Sequence, residues 1–306
     1  MMIRWLLSVL VFGAAQVSAA PLTYNLKAQL IAPNTYVLQG KLEDFSRENG
    51  GNIVNTGFIV TEEGVVVIDT GPSLRYGRAL REVIKQTTDQ PIKLVLNTHH
   101  HPDHFLGNQA FSDVDIYALK QTSEQIAQHG DAFAENMYRL VGDWMRSTEV
   151  EVPRKVITES EITLGSHRLA LMPFSGHSGA DLVIKDHKTG VVFAADMVFY
   201  QRALTTPHTP GLAIWLEQIT ELGELDYTVM VPGHGPLIED GRAIAQMQSY
   251  LRWLDQSLTK AAQAGLSMTE VMKTPIKAEF AEIALSRREF ARTVAHLYPK
   301  YEEANF

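Results

Sequence analysis

No cysteine occurs among the 306 residues. That excludes a thiolate as nucleophile, metal ligand or redox centre, and it excludes disulfides. A chain of this length can reach stability through its apolar core alone, so the absence does not argue against export. A cationic surplus is missing too: 27 Lys and Arg face 35 Asp and Glu, a formal net charge of −8. No basic run interrupts that balance, which speaks against nucleic acid and anionic membrane surfaces as partners and disfavours a polyanionic substrate. Low-complexity linkers and short repeats are also lacking. With 45% hydrophobic and 20% charged residues, the composition is that of a globular chain with material for a large core.

The longest apolar stretch is N-terminal, Trp5 to Ala15, preceded by Arg4 and followed by the small residues Val17-Ser18-Ala19. This is the three-part form of a secretory signal peptide, too short for a comfortable membrane span. Cleavage is expected after Ala19, because Pro21 would sit badly next to a cut after Ala20. The mature chain, residues 20–306, is then one periplasmic or secreted domain with no stable membrane insertion.

Along that chain, apolar β-type runs alternate with helical periodicity. Asn34 to Leu38 reads as a strand, and Asp44 to Asn52 as a Gly-rich loop. Ile53 to Thr61 and Val65 to Ile68 read as a hairpin through Glu62-Glu63-Gly64. Asp69 ends it, and two roles are open: accepting amides of a neighbouring loop, or capping the next turn. Ser73 is placed to N-cap a helix carrying Leu74, Leu80, Val83 and Ile84 on one face. Helical periodicity returns at Gln121 to Ser147, where Ile126, Phe133, Met137, Leu140, Val141 and Met145 form a stripe expected to pack as core or lid. A dense β region follows from Ile157 to Ala194. From about residue 240 the pattern is helical, with a break at Gly265, a capping box at Ser267 to Glu270 and a last helix expected over 277–298. Strands then helix, twice over, suits two packed sheets with helices outside.

The chemistry concentrates in Thr98-His99-His100-His101-Pro102-Asp103-His104, after the buried-strand run Leu94 to Leu96. The chain has 11 histidines, and four of them stand in this one loop. Residues two apart in an extended segment point the same way, so His99 and His101 can chelate one ion, leaving Asp103 and His104 to face a second. Three further ligand-type residues each follow an apolar strand: His177 in Phe174-Ser175-Gly176-His177-Ser178-Gly179, Asp196 after Val191 to Ala195, and His234 in Val231-Pro232-Gly233-His234-Gly235. Small neighbours let the backbone bring each side chain close to an ion. Of the other histidines, His100, His129, His167, His187 and His296 are expected behind the ligands or at the surface. His208, after Tyr200 and Arg202, is a candidate for the substrate pocket.

These four motifs, in this order, resemble the metallo-β-lactamase superfamily over nearly all the mature chain. The resemblance implies an αβ/βα four-layer sandwich of two mixed sheets, with the site at one sheet edge. It assigns His99, His101 and His177 to one zinc ion and Asp103, His104 and His234 to a second, with Asp196 bridging; iron and manganese are alternative ions. Two ions about 3.5–4 Å apart activate a water and polarise a carbonyl. The implied activity is therefore hydrolysis of an ester, thioester or amide, with Asp103 orienting the water and handling its proton. Class B β-lactamases place cysteine or serine where Asp196 stands, so β-lactam turnover is the lesser alternative. Asn55-Thr56-Gly57-Phe58-Ile59-Val60, Val67-Ile68-Asp69-Thr70-Gly71 and Asn97-Thr98-His99 look closest to periplasmic zinc metallohydrolases linked to quinoprotein dehydrogenase and sulfur-oxidation systems. Two rivals share the scaffold. One is a mono-iron persulfide dioxygenase using His99, His177 and Asp196; the other is a non-catalytic module binding metal or a periplasmic partner.

Overall fold

The computed structural model describes residues 22–304; the expected signal segment lies outside them. Among the described residues, one sheet has seven strands in chain order: Gln29–Ala32 (β1), Thr35–Leu38 (β2), Thr56–Thr61 (β3), Gly64–Ile68 (β4), Ile92–Leu96 (β5), Asp115–Ala118 (β6) and Lys155–Val156 (β7). The first four pair antiparallel, and β4 to β7 pair parallel. The parallel crossovers run through Leu74–Thr87 (α1), the helical turn Pro102–Phe105 (α2), and Lys120–Val141 (α3). The second sheet holds Glu161–Leu164 (β8), His167–Phe174 (β9), Asp181–Asp186 (β10), Val191–Phe199 (β11) and Val229–His234 (β12) in the order β12-β11-β10-β9-β8. Its β11–β12 pair is parallel and the rest antiparallel. Leu212–Leu222 (α4) makes that crossover, and Arg242–Gln263 (α5), Met268–Lys273 (α6), Ala278–Ala281 (α7) and Ser286–Glu303 (α8) close the chain.

The layering follows from strand alternation. In β4, Val66 and Ile68 point between the sheets, where they meet Leu169, Leu171, Leu182, Ile184 and Phe193. Val65 and Val67 point the other way, onto Leu80 and Ile84 of α1. All five β4 residues are buried, because a strand covered on both faces needs apolar side chains at every position. On the far side, Val183, Val192 and Met230 pack against Trp215 and Ile219 of α4, and the same core reaches Leu251, Leu254, Phe290 and Val294 of α5 and α8. The result is the expected four-layer α/β sandwich.

Local chemistry explains the boundaries. Ser73 caps α1 by accepting the Tyr76 N–H at 3.1 Å, and Ser267 with Glu270 forms the expected capping box of α6. The expected strand over Ile53 to Thr61 begins only at Thr56: the Ile53 carbonyl and the Asn55 amide turn towards Gly233 and His234 instead of a ladder. The expected last helix is divided into α7 and α8, with Leu285 left-handed (φ 61°) between them. The α3 stripe buries Ile126, Met137 and Val141 on Phe105 and Leu106, directly behind the histidine loop. Among the described residues no helix is long and apolar enough to cross a membrane.

Candidate metal centre

The C-terminal ends of β4, β5, β9 and β12 converge at one edge of the sandwich, where α/β sheets bind ligands. Asp69 follows β4, His99 lies just beyond β5, His177 just beyond β9, and His234 ends β12. Asp196 comes from within β11, where the register with β12 is irregular and Ala195 adopts φ 45°. A Cβ at Gly233 would come within 1.8 Å of Asp196 Oδ1, so only glycine leaves the carboxylate room beside β12.

The histidine loop is not extended throughout. Pro102 opens the turn α2, with extended His101 before it, and Asp103 and His104 stand on that turn. The departure from the sequence reading has a simple cause: proline at the first helical position is preorganised for a helix. His99, His101, His177 and Asp196 place one donor atom each within 4.8 Å of one another, and Asp103, His104 and His234 form a second such group. All seven side chains are buried. Asp196 lies between the groups. Its Oδ2 is 3.1 Å from His177 Nε2 and 3.4 Å from His234 Nε2, and its Oδ1 is 3.1 Å from His104 Nε2. Asp103 Oδ2 is 3.4 Å from His234 Nε2.

Each imidazole is turned by the bond on its outer nitrogen. His177 Nδ1 donates to the Thr205 carbonyl at 3.1 Å and His234 Nδ1 to the Ile53 carbonyl at 2.8 Å. His104 Nδ1 donates to Asp69 Oδ2 at 2.7 Å, and His99 Nδ1 to Thr98 Oγ1 at 3.1 Å. Four Nε2 atoms therefore face inward. His101 presents Nδ1 instead, 3.0 Å from His99 Nε2 and 2.6 Å from His177 Nε2, while its own Nε2 meets His208 Nδ1 at 2.5 Å.

The donor set fits a pair of divalent ions. Nitrogens about 2.0–2.1 Å from a tetrahedral zinc stand about 3.3 Å apart; His101 Nδ1 stands nearer than that to His99 and His177, at 3.0 and 2.6 Å, so a small outward shift of that ring would open the group to an ion. His104 Nε2 and Asp196 Oδ1 are buried without hydrogen-bond partners; they lie 3.1 Å apart but lack the alignment a hydrogen bond needs. Burial pushes His99 and His101 well below the ordinary imidazole range, and neighbouring imidazoles push the same way. Burial alone would lower His104 too, but Asp196, Asp69 and Asp103 together hold it well above that range. Burial likewise opposes the charge on Asp196, yet His234, His104 and His177 hold its carboxyl well below the usual range.

Asp69 takes the first of its two open roles. Its Oδ1 accepts the Thr98 N–H at 2.8 Å and its Oδ2 the Thr98 hydroxyl at 2.7 Å, besides His104. Asp181, which the sequence did not mark out, shapes the His177 loop by accepting the Gly176 and Ser178 amides at 3.1 and 2.9 Å and the Ser178 hydroxyl at 2.7 Å. Asn55 clamps the His234 turn by donating to the Pro232 and Gly235 carbonyls, both at 2.9 Å. His208 lines the cleft above the centre with Phe133 and His101, and burial holds it down to about 4. His100 is buried beside it, its ring 5.9 Å from Phe133. His167 belongs to neither expected class: it is a core histidine whose Nδ1 meets Asp186 at 2.9 Å.

The sequence profile of the metallo-β-lactamase superfamily matches residues 49–234, a span that contains all seven converging residues. The chain belongs to the metallo-β-lactamase superfamily. Its curated relatives are hydrolases. It is 32% identical over 80 residues to a linear primary-alkylsulfatase of a Pseudomonas species, a match covering 24% of this chain and 15% of that protein. It is 23% identical over 224 residues to a protein of Bacillus subtilis named probable metallo-hydrolase YqjP, covering 62% of this chain and 69% of the relative. Among solved structures, a metallo-β-lactamase from Pontibacter korlensis superposes with a TM-score of 0.60 at 21% identity, over 74% of this chain and 99% of that one. Another from Hirschia baltica gives 0.59 at 16% identity, over 74% and 97%. At such identities the superpositions establish the metallo-β-lactamase fold, as the strand order does.

Proposed function

We propose that this superfamily member is an exported two-ion hydrolase, with zinc as the metal and an ester, thioester or amide carbonyl as the point of attack. One observation carries the reading: the Asp196 carboxylate stands between two complete histidine groups, with an oxygen 3.1 Å from His177 Nε2 and another 3.1 Å from His104 Nε2. A single-ion centre would need only one of those groups. When bound, the ions would supply Lewis acidity and a water acidic enough to act near neutral pH.

The protein's own groups then have defined tasks. His99, His101 and His177 would hold the first ion, His104 and His234 with Asp103 the second, and Asp196 stands within reach of both groups. Asp103 lines the substrate cleft, where its carboxylate orients the attacking water, takes its proton and returns it to the leaving group. Asp69 fixes His104 and the start of the loop through Thr98. The hydrolase names of the curated relatives support the reaction class. The signal-like segment Met1 to Ala19 supports a periplasmic or secreted location, and the motifs around Asn55, Asp69 and Asn97 support a link to quinoprotein dehydrogenase systems.

The test is turnover of matched ester, thioester, amide and β-lactam reporters by the metal-replete protein and by Asp196→Ala. Hydrolysis of at least one carbonyl reporter, lost in the variant together with part of the bound metal, is expected. Unchanged turnover in Asp196→Ala would refute the shared-carboxylate assignment. Oxygen uptake on a persulfide, with no hydrolysis, would replace the hydrolase by the mono-iron oxygenase.

A further inference from the structure

Residues 22–28 run ahead of β1 and belong to neither sheet. Leu22, Tyr24, Leu26 and Ala28 are partly buried, and the odd-numbered residues between them are exposed. That is the alternation of a strand, but here side chains rather than a ladder hold the segment down. Leu26 and Ala28 pack on the α1 core, Leu22 packs on the cluster behind the histidine loop, and Tyr24 belongs to both. The Tyr24 ring lies 5.2 Å from that of Tyr76 and 4.4 Å from that of Trp144.

The Tyr24 hydroxyl joins two loops. It donates to the Gly50 carbonyl at 2.6 Å and stands 3.1 Å from Ser73 Oγ. A phenol has one proton, and Gly50 takes it, so the Ser73 hydroxyl donates to Tyr24 while its oxygen accepts the Tyr76 N–H at 3.1 Å. Both loops lead to the second ion group. Shortly after Gly50 comes Ile53, whose carbonyl accepts from His234 Nδ1 at 2.8 Å. Shortly before Ser73 comes Asp69, which accepts from His104 Nδ1 at 2.7 Å. The stretch from Gly50 to Ile53 is stiff: the Gly51 amide donates to Asn49 Oδ1 and the Ile53 amide to the Gly51 carbonyl, both at 2.8 Å. Gly50 is left-handed at φ 62°, and a Cβ there would meet the Trp144 ring at 2.4 Å. Trp144 Nε1 in turn donates to the Arg47 carbonyl at 2.8 Å. The two loops also touch directly, since a Cβ at Gly51 would lie 3.0 Å from Pro72 Cβ.

We propose that Tyr24 is a positioning residue for the second ion group: its hydroxyl ties together the two loops whose acceptors aim His104 and His234. Tyr24 acts through Gly50 and Ser73 and is not itself a ligand. The first group is aimed from elsewhere, His99 by Thr98 and His177 by the Thr205 carbonyl, so it should feel the loss far less. The inference rests on the two-ion reading for metal binding, not for the orientation of the rings.

The experiment compares the full chain, stripped of metal, with Tyr24→Phe and with Tyr298→Phe. Phenylalanine keeps the ring packing at position 24 and removes only the hydroxyl. Tyr298 is the control: its buried ring also donates to a carbonyl, that of Leu266 at 2.5 Å, between α8 and the start of α6. Loss of one neutral hydrogen bond corresponds to about threefold to tenfold. Calorimetric zinc titration of Tyr24→Phe should therefore find the second ion weaker by that factor and the first ion unchanged. A group that touches a ligand directly would cost about tenfold to a hundredfold. In the metal-free protein, nitrogen-15 NMR should show the His234 Nδ1 proton exchanging with water faster by a similar factor. Tyr298→Phe should lower the melting temperature as much as Tyr24→Phe does, yet change neither readout. Wild-type affinity for the second ion in Tyr24→Phe, equal weakening of both ions, or the same loss in Tyr298→Phe would each overturn the proposal. If the wild type binds a single ion, the two-ion reading fails and the His234 exchange rate alone decides on Tyr24.

Discussion

Asp69→Asn isolates the charge that supports the second ion group. Asp69 is 1% exposed and left-handed at φ 57°, and asparagine tolerates that backbone as well as aspartate does. The substitution therefore keeps shape and conformation while removing one carboxylate. Three donors lose their charged acceptor: the Thr98 amide, the Thr98 hydroxyl and His104 Nδ1, at 2.8, 2.7 and 2.7 Å. The asparagine oxygen can still accept from some of them, so the net loss is about 2–3 kcal/mol of stability rather than the sum of three bonds. For a domain of this size that is a fall in melting temperature of about 3–5 °C. His104 also loses the partner that fixes its tautomer and aims Nε2 at the centre, which should weaken the second ion by about tenfold to a hundredfold. Binding at His99, His101 and His177 should change far less, since that group meets Asp69 only through Thr98. Calorimetric metal titration of the stripped protein, with thermal unfolding, checks both numbers. Two ions bound with wild-type affinities would refute the view that Asp69 positions the second group through His104.

Gly233→Ala should disturb the centre from behind, because the added Cβ would meet Asp196 Oδ1 at 1.8 Å; metal stoichiometry below wild type, with near-native circular dichroism, is the expected readout. His167→Gln is the matched control. Its buried bond to Asp186 lies away from the ligands, so stability should fall by about 1–3 kcal/mol while metal content stays at the wild-type level. The pH dependence of metal uptake follows from His104. Burial works against its proton, but Asp196, Asp69 and Asp103 hold it on in the metal-free protein, so an ion entering this group must displace it. Below the raised His104 pKa, apparent affinity for the second ion should rise about tenfold per pH unit, a gain that levels off once pH passes that pKa. Calorimetry in buffers of different ionisation enthalpy should find a proton released by this ion.

Much of the site was legible because each ligand follows an apolar run ending at the same edge of the sheets. The β5 run before His99, the β9 run before His177 and the β12 run before His234 are strong β signals, and small residues flank the last two histidines. The α2 turn was not legible, since four residues cannot display periodicity; only Pro102 hints at it. Nor were the acceptors that orient the rings, because the Thr205 and Ile53 carbonyls have no side-chain signature. Asp69 left two roles open until its distance to His104, 35 positions away, was known. Asp181 and Tyr24 were hidden for a related reason. An aspartate near a Ser-Gly loop and a tyrosine in an extended segment are ordinary locally, and acquire meaning only through the loops they hold.

The central claim is that seven side chains hold two ions around a shared carboxylate. Anomalous diffraction at the zinc edge, on protein purified without added metal and matched by elemental analysis, tests it most directly. The account expects two zinc peaks per chain, one among His99, His101, His177 and Asp196 and the other among Asp103, His104, His234 and Asp196. A single iron bound by His99, His177 and Asp196, with the second group empty at saturating metal, would contradict it.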